Sequence, residues 1–258
     1  MSRTFGYREL LTKEIVEAWR TYRLGVLCGL FIVLGIAVPV LVRFLPRLLR
    51  LLGARRGELD LEQAGVAGVI SLLTDNLILL GAVAAVLVTM GAIAGERRRG
   101  TLALLLARPI SRAAVLWAKF VALGMSFGLA IGLAILAAWL YASILYEPQP
   151  ALPWLQLGAV VWLSAMAYVA VTLFGSVVAP TTLGAGAIGA AFLGAMSVAS
   201  SVAPAARLLP AGLAEVAHAV GLEDVSPDLV PAITIAASIG VIGVALLLAW
   251  WRFRRLEA

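Results

Sequence analysis

Long apolar blocks separated by short polar stretches run through residues 24–42, 76–94, 115–142, 155–178, 182–203 and 231–251. Each is close to or above the roughly 20 residues a helix needs to cross a bilayer. Inside them, apolar residues come in unbroken runs rather than in the alternation of a half-buried strand. The pattern predicts six membrane helices. The second is expected to start earlier than 76, because Val66 to Leu73 is also apolar and only Asp75 interrupts it. Pro180-Thr181-Thr182 is the sole turn signal between the fourth and fifth spans.

Two further stretches are amphipathic. Over residues 5–23, Leu11, Ile15, Ala18, Trp19 and Tyr22 share a face opposite Lys13, Glu17, Arg20 and Arg23, which predicts an interfacial helix leading into the first span. Glu9 and Lys13 form a favourable i, i+4 pair on it. Over Arg43–Leu52, Arg43, Arg47 and Arg50 fall at i, i+4 and i+7, and a second surface helix is expected in the first outer loop, where Arg55 and Arg56 follow. Trp139, Trp154, Trp250 and Trp251 stand at span ends, as an aromatic belt requires. Small residues recur at four-residue spacing: Gly25 and Gly29, Gly91 and Gly95, Gly124, Gly128 and Gly132, and Gly186, Ala190 and Gly194. That spacing lets membrane helices approach closely.

Composition sharpens the class. The chain is 62% hydrophobic and 13% charged, with a mean hydropathy of +1.03, far from a soluble domain. The fold class is therefore all-α: a polytopic membrane protein, one transmembrane domain over residues 1–258, and no cleavable leader is expected. The net charge of +6 comes from basic residues beside apolar spans, which is the signature of topology and anionic lipid rather than of nucleic acid. With six spans both termini share a side, and that side carries 14 of the 20 Lys and Arg. It is expected to be cytoplasmic, in the plasma membrane.

Reactive chemistry is sparse. His218 is the only histidine, so no two-histidine zinc motif is possible, and it is expected to be a surface residue of the last outer loop. Cys28 is alone within the first span, so no intrachain disulfide can form. Gly124-Met125-Ser126-Phe127-Gly128 matches the nucleophile-elbow spacing, but inside a helix rather than at a strand–helix turn. The span centres lack ionisable groups, which argues against ion-coupled transport. The two lysines, Lys13 and Lys119, sit in no phosphate-binding loop, so ATP, if used, must be bound by another chain. Thr89, Ser126, Ser164, Thr172 and Ser176 are the weakly polar groups available to line a pathway.

One charged island stands out: Gly95-Glu96-Arg97-Arg98-Arg99-Gly100-Thr101-Leu102, then Leu104-Leu105-Leu106-Ala107-Arg108-Pro109-Ile110-Ser111-Arg112, closing at Lys119. Gly100 breaks the helix descending from span two and Thr101 caps a new one. Leu102 to Ala107 gives one or two apolar helical turns, and Pro109 disfavours helix at Arg108. Ser111 caps span three. A short helix at the membrane surface is predicted, with leucines that something must cover.

These residues resemble the signature of ABC-2 type transporter permeases. The resemblance extends to the amphipathic N-terminal helix, the six spans, the proline late in span one (Pro39) and the basic C-terminus. It implies a permease subunit without a cofactor of its own, ATP and Mg being held by a separate ATPase present in two copies, and a second permease chain as partner. It implies that the short helix is the coupling helix contacting the ATPase. Carried over by position, the contact residues are Glu96, Arg97, Gly100, Thr101, Leu102, Leu105, Arg108, Pro109, Ser111 and Arg112. Gly100 and Pro109 shape the segment, leucines fill a groove on the partner, and charges fix register. The competing reading is a membrane scaffold that recruits a soluble ATPase without moving a substrate; an intramembrane enzyme is disfavoured by the missing residues.

Overall fold

The computed structural model describes residues 3–51, 61–101, 111–202, 206–222 and 230–255. Helix α1 spans Arg3–Arg20, α2 Arg23–Leu51, α3 Leu61–Thr89, and α4 is the short Ala94–Arg98. Then come α5, Arg112–Leu145, α6, Ala151–Val178, and α7, Thr182–Ser200. A 3₁₀ turn at Pro210–Gly212 leads into α8, Leu213–Gly221, and α9 is Val230–Arg254. Among the described residues, six stretches are long and apolar enough to cross a membrane: Arg23–Pro46, Gly65–Arg98, Arg112–Leu145, Ala151–Val178, Thr182–Ser200 and Pro231–Arg254. The chain is a multi-pass α-helical membrane protein.

The expected span boundaries agree with these to within a few residues, apart from the second, which starts at Gly65 as the apolar run from Val66 suggested. Pro180-Thr181-Thr182 is a true boundary. Helix α6 stops at Val178, and the Thr181 hydroxyl accepts from the Gly184 amide at 3.1 Å to cap α7.

The separate surface helix expected over Arg43–Leu52 does not exist as such. Helix α2 runs unbroken to Leu51 through Pro39 and Pro46, and Leu52 lies outside the described residues, as do Arg55 and Arg56. The physical reason is length. At about 1.5 Å per residue, α2 is longer than the roughly 30 Å hydrocarbon layer requires, so one helix has length enough for both the span and the turns after it. Arg43 stacks on the Tyr146 ring, 5.4 Å from its centre.

Helix α6 is the central rod. Two-thirds of its span is buried, against 17% for α7, and it touches α3, α5, α7, α8 and α9. With lipid outside, close backbone approach rather than solvent exclusion holds such a bundle together. Gly124 and Gly128 lie under Trp162, whose indole N–H donates to the Gly124 carbonyl at 2.9 Å. The tightest contacts fall elsewhere: a Cβ at Gly35 would collide with the Ala134 carbonyl, and one at Gly189 with Val86 and Thr172. Gly25, Gly29, Gly132 and Gly194 meet nothing within 4 Å; their small size leaves room for something outside this chain.

Candidate functional site at the terminal end of the bundle

Helix α1, the turn after α3, the start of α5 and the end of α9 gather at one end of the bundle. Three devices fix the segment that leaves there. At the break between α3 and α4, the buried Ser176 hydroxyl of α6 accepts from the Ile93 and Ala94 amides, both at 2.9 Å, and donates to the Met90 carbonyl at 3.1 Å. One side chain thus satisfies three backbone groups that the broken helix leaves open. One turn on, Arg97 donates to the Val177 and Ala179 carbonyls at 2.8 and 3.5 Å, placing a cation on the C-terminus of α6. Gly100 then takes a left-handed φ of +72°, which ends the turn and which a side chain would resist. The Thr101 hydroxyl reaches back to the Glu96 carbonyl at 3.2 Å.

The return is equally anchored. The Ser111 hydroxyl caps α5 by accepting from the Ala114 amide at 3.2 Å. Arg112 donates to the Phe253 and Arg254 carbonyls at 2.9 and 3.1 Å, capping α9 as Arg97 caps α6. Beside it, Arg254 and Arg255 lie over the Trp250 and Trp251 rings, at 4.9 and 3.9 Å.

A buried ion cluster ties these pieces together. Lys119 of α5 is only 4% exposed, and its ammonium lies 2.7 Å from Glu96 Oε1 and 3.0 Å from Glu14 Oε1. Lys13 lies 3.3 Å from Glu14, 3.4 Å from Glu17 and 3.5 Å from Glu96. Both lysines of the chain therefore meet three carboxylates at the junction of α1, α4 and α5. Partial burial alone would lower the Lys13 pKa, but the three carboxylates outweigh it and hold it above the ordinary 10.5.

The family model described as ABC-2 family transporter protein matches residues 9–258. The chain belongs to that family. It is also similar to the uncharacterized transmembrane protein YxlG of Bacillus subtilis (strain 168), with 26% identity over 257 residues that cover 96% of this chain and 97% of the relative. Both spans of similarity run nearly end to end, so the ABC-2 assignment concerns the whole bundle and makes the chain a permease-type membrane transport subunit.

Within this ABC-2 chain, the residues expected to carry the partner contact divide. Glu96, Arg97, Gly100, Thr101, Ser111 and Arg112 lie together at the terminal end. Glu96, Arg97 and Arg112 spend their charge inside the chain, whereas Arg98 and Arg99 are exposed. Leu102, Leu105, Arg108 and Pro109 lie outside the described residues.

Helix α1 is present, and of the apolar face expected on it Leu11, Ile15 and Ala18 are partly buried. Leu10 is buried and Glu14, Ile15 and Ala18 face inward, while Trp19 is 65% and Tyr22 79% exposed. The Glu14–Lys119 pair ties α1 to α5, and Lys13 turns to Glu14 and Glu17 of its own helix and to Glu96 of α4. Sequence reasoning missed the cluster; the signal was that both lysines and a mid-face Glu14 stand at one membrane border.

Thr89, Ser164, Thr172 and Ser176 are buried in the packing of one chain, and Ser126 donates to the Ala122 carbonyl of its own helix. His218 is no plain surface residue: its Nε2 lies 2.9 Å from Asp75 Oδ1, joining α8 to α3. That junction is far along the bundle from Ser126, so no histidine serves the elbow-like glycines.

Proposed function

We propose that this chain is the membrane-spanning subunit of an ATP-driven exporter, moved by a separate ATPase that grips residues 95–112. The ATPase holds ATP and Mg, is present in two copies, and acts from the cytoplasm, where both termini of this plasma-membrane protein lie. The observation that carries the reading is the anchoring of that segment. Its Arg97 and its Arg112 are each clamped to the C-terminus of a different span. A push on the segment is thereby delivered to α6 and α9 at once, and through Glu96 and Lys119 to α1 and α5.

Leu102 and Leu105 fill a groove on the ATPase, with Arg98, Arg99 and Arg108 setting register by charge, while Gly100 and Pro109 shape the two bends. Helix α1 lies in the membrane interface, consistent with its exposed Trp19 and Tyr22. A second permease chain covers the outward small residues of α2 and α7, where Gly25, Gly29, Ala187, Ala191 and Gly194 are exposed. Direction of transport rests on the ABC-2 membership alone.

Replacing Leu102 and Leu105 with aspartate tests the contact. The variant is expected to insert and remain monodisperse, yet lose the ATPase on co-purification. An intact complex that still hydrolyses ATP in a permease-dependent way would move the contact elsewhere. A scaffold would keep the ATPase but show no turnover coupled to transport.

A further inference from the structure

A cavity of about 230 Å³ opens between α1, α2, α3, α4 and α5 at the terminal end. Glu14, Glu17, Glu96 and Lys119 line its polar part, together with Arg23, Arg98 and Arg99. Lys13 pairs with the same three carboxylates. Three acids thus stand against five bases, and two positive charges are left uncompensated. The surplus sits on the arginines. Both lysines are spent on carboxylates, whereas Arg23, Arg98 and Arg99 are exposed and enter no ion pair among the described residues. Arg23 is the first residue of α2, and Arg98 and Arg99 close α4, so the cations reach the cavity from two different elements. A guanidinium fork matches the oxygens of a phosphate.

Toward the middle of the spans the wall becomes apolar, with Leu24, Leu27, Leu87, Val88 and Leu123. Leu87 is 59% exposed, and Val83 and Leu79, one and two turns deeper on α3, are exposed as well. An apolar stripe therefore continues from the cavity along the outer face of the span. Charge at the bundle end and hydrocarbon below it is the order of parts in a phospholipid, and a small soluble anion would use only the first. A zwitterionic headgroup would bring another cation to a wall that already has cations to spare. We infer that this cavity binds an anionic phospholipid. Arg23, Arg98 and Arg99 hold its phosphate, and its acyl chains leave along Leu87, Val83 and Leu79. The site is a property of this chain alone and does not depend on the transport reading, although Arg98 and Arg99 also stand at the proposed ATPase contact.

The test uses the full-length chain without its ATPase, stripped of lipid in mild detergent, so that failure of the site and failure of the transport reading are separate results. Phosphatidylglycerol and phosphatidylcholine with the same dioleoyl chains are added in equal amounts, and retained lipid is counted by native mass spectrometry. Phosphatidylglycerol is expected to be retained about thirtyfold better, the scale of two basic residues acting on one anionic lipid. Arg23→Gln should cut that preference about fivefold. Arg98→Gln with Arg99→Gln should bring the two lipids level. Arg254→Gln with Arg255→Gln, an equal change of charge at the same end of the bundle, should leave the preference in place. All five arginines are exposed, so these variants spare the core. Equal retention of both lipids by the unaltered chain would overturn the site, and equal losses in the two double variants would replace it with a diffuse basic surface. Soluble glycerophosphoglycerol displacing the lipid at equal concentration would overturn the lipid assignment in favour of a free headgroup.

Discussion

Lys119 illustrates how much one side chain can decide. An ammonium removed from water is expensive unless paired, and here Glu14 and Glu96 pair it from two different helices. Replacing it with methionine leaves Glu14 and Glu96 with only the half-exposed Lys13 as counter-charge. We expect a loss of roughly 3–5 kcal/mol in detergent unfolding, and recovery of much of it when Glu14→Gln and Glu96→Gln are added. If the triple variant is no more stable than Lys119→Met alone, the cluster is not held by charge. Lys13 gives a pH prediction. Its pKa is raised in the folded state, so its contribution is complete below 10.5 and is lost only as pH rises through the folded value. Protease sensitivity of α1 should therefore be flat from neutral pH to about 10 and rise above it.

At the scale of elements, the break between α3 and α4 depends on Ser176. Ser176→Ala would leave the fully buried Ile93 and Ala94 amides without acceptors, at a cost of roughly 1–3 kcal/mol. Gly35→Ala would push a methyl into the Ala134 carbonyl at the seam of α2 and α5, again about 1–3 kcal/mol. Thermal melts of the purified variants check both, and an unshifted melt would mean the seam relaxes freely. The spans themselves were legible because an apolar run of twenty residues has few other folded states available in a membrane. The bridge from α1 to α5 was not: the wheel shows an apolar face, whose Leu11, Ile15 and Ala18 are partly buried, but not that Glu14 on its flank meets Lys119. The continuity of α2 past Arg43 was equally hidden, since three arginines on one face read the same on a surface helix and on the last turns of a longer one.

For the whole molecule, the proposed function is that of a bundle levered at one end by a separate ATPase. The island around Glu96 and Arg112 could be read from spacing and from its likeness to ABC-2 permeases, because glycine, proline and caps mark a break in the chain independently of its neighbours. What the linear order could not reveal was that Arg97 and Arg112 reach the ends of α6 and α9, contacts that join residues 80 and 141 positions apart. The decisive measurement is site-directed cross-linking in membranes, with Cys28→Ala removing the native thiol. A cysteine at Leu105 should cross-link to the ATPase subunit, while one at Glu147, at the opposite end of α5, should not. A cross-link from position 147 and none from position 105 would contradict the account.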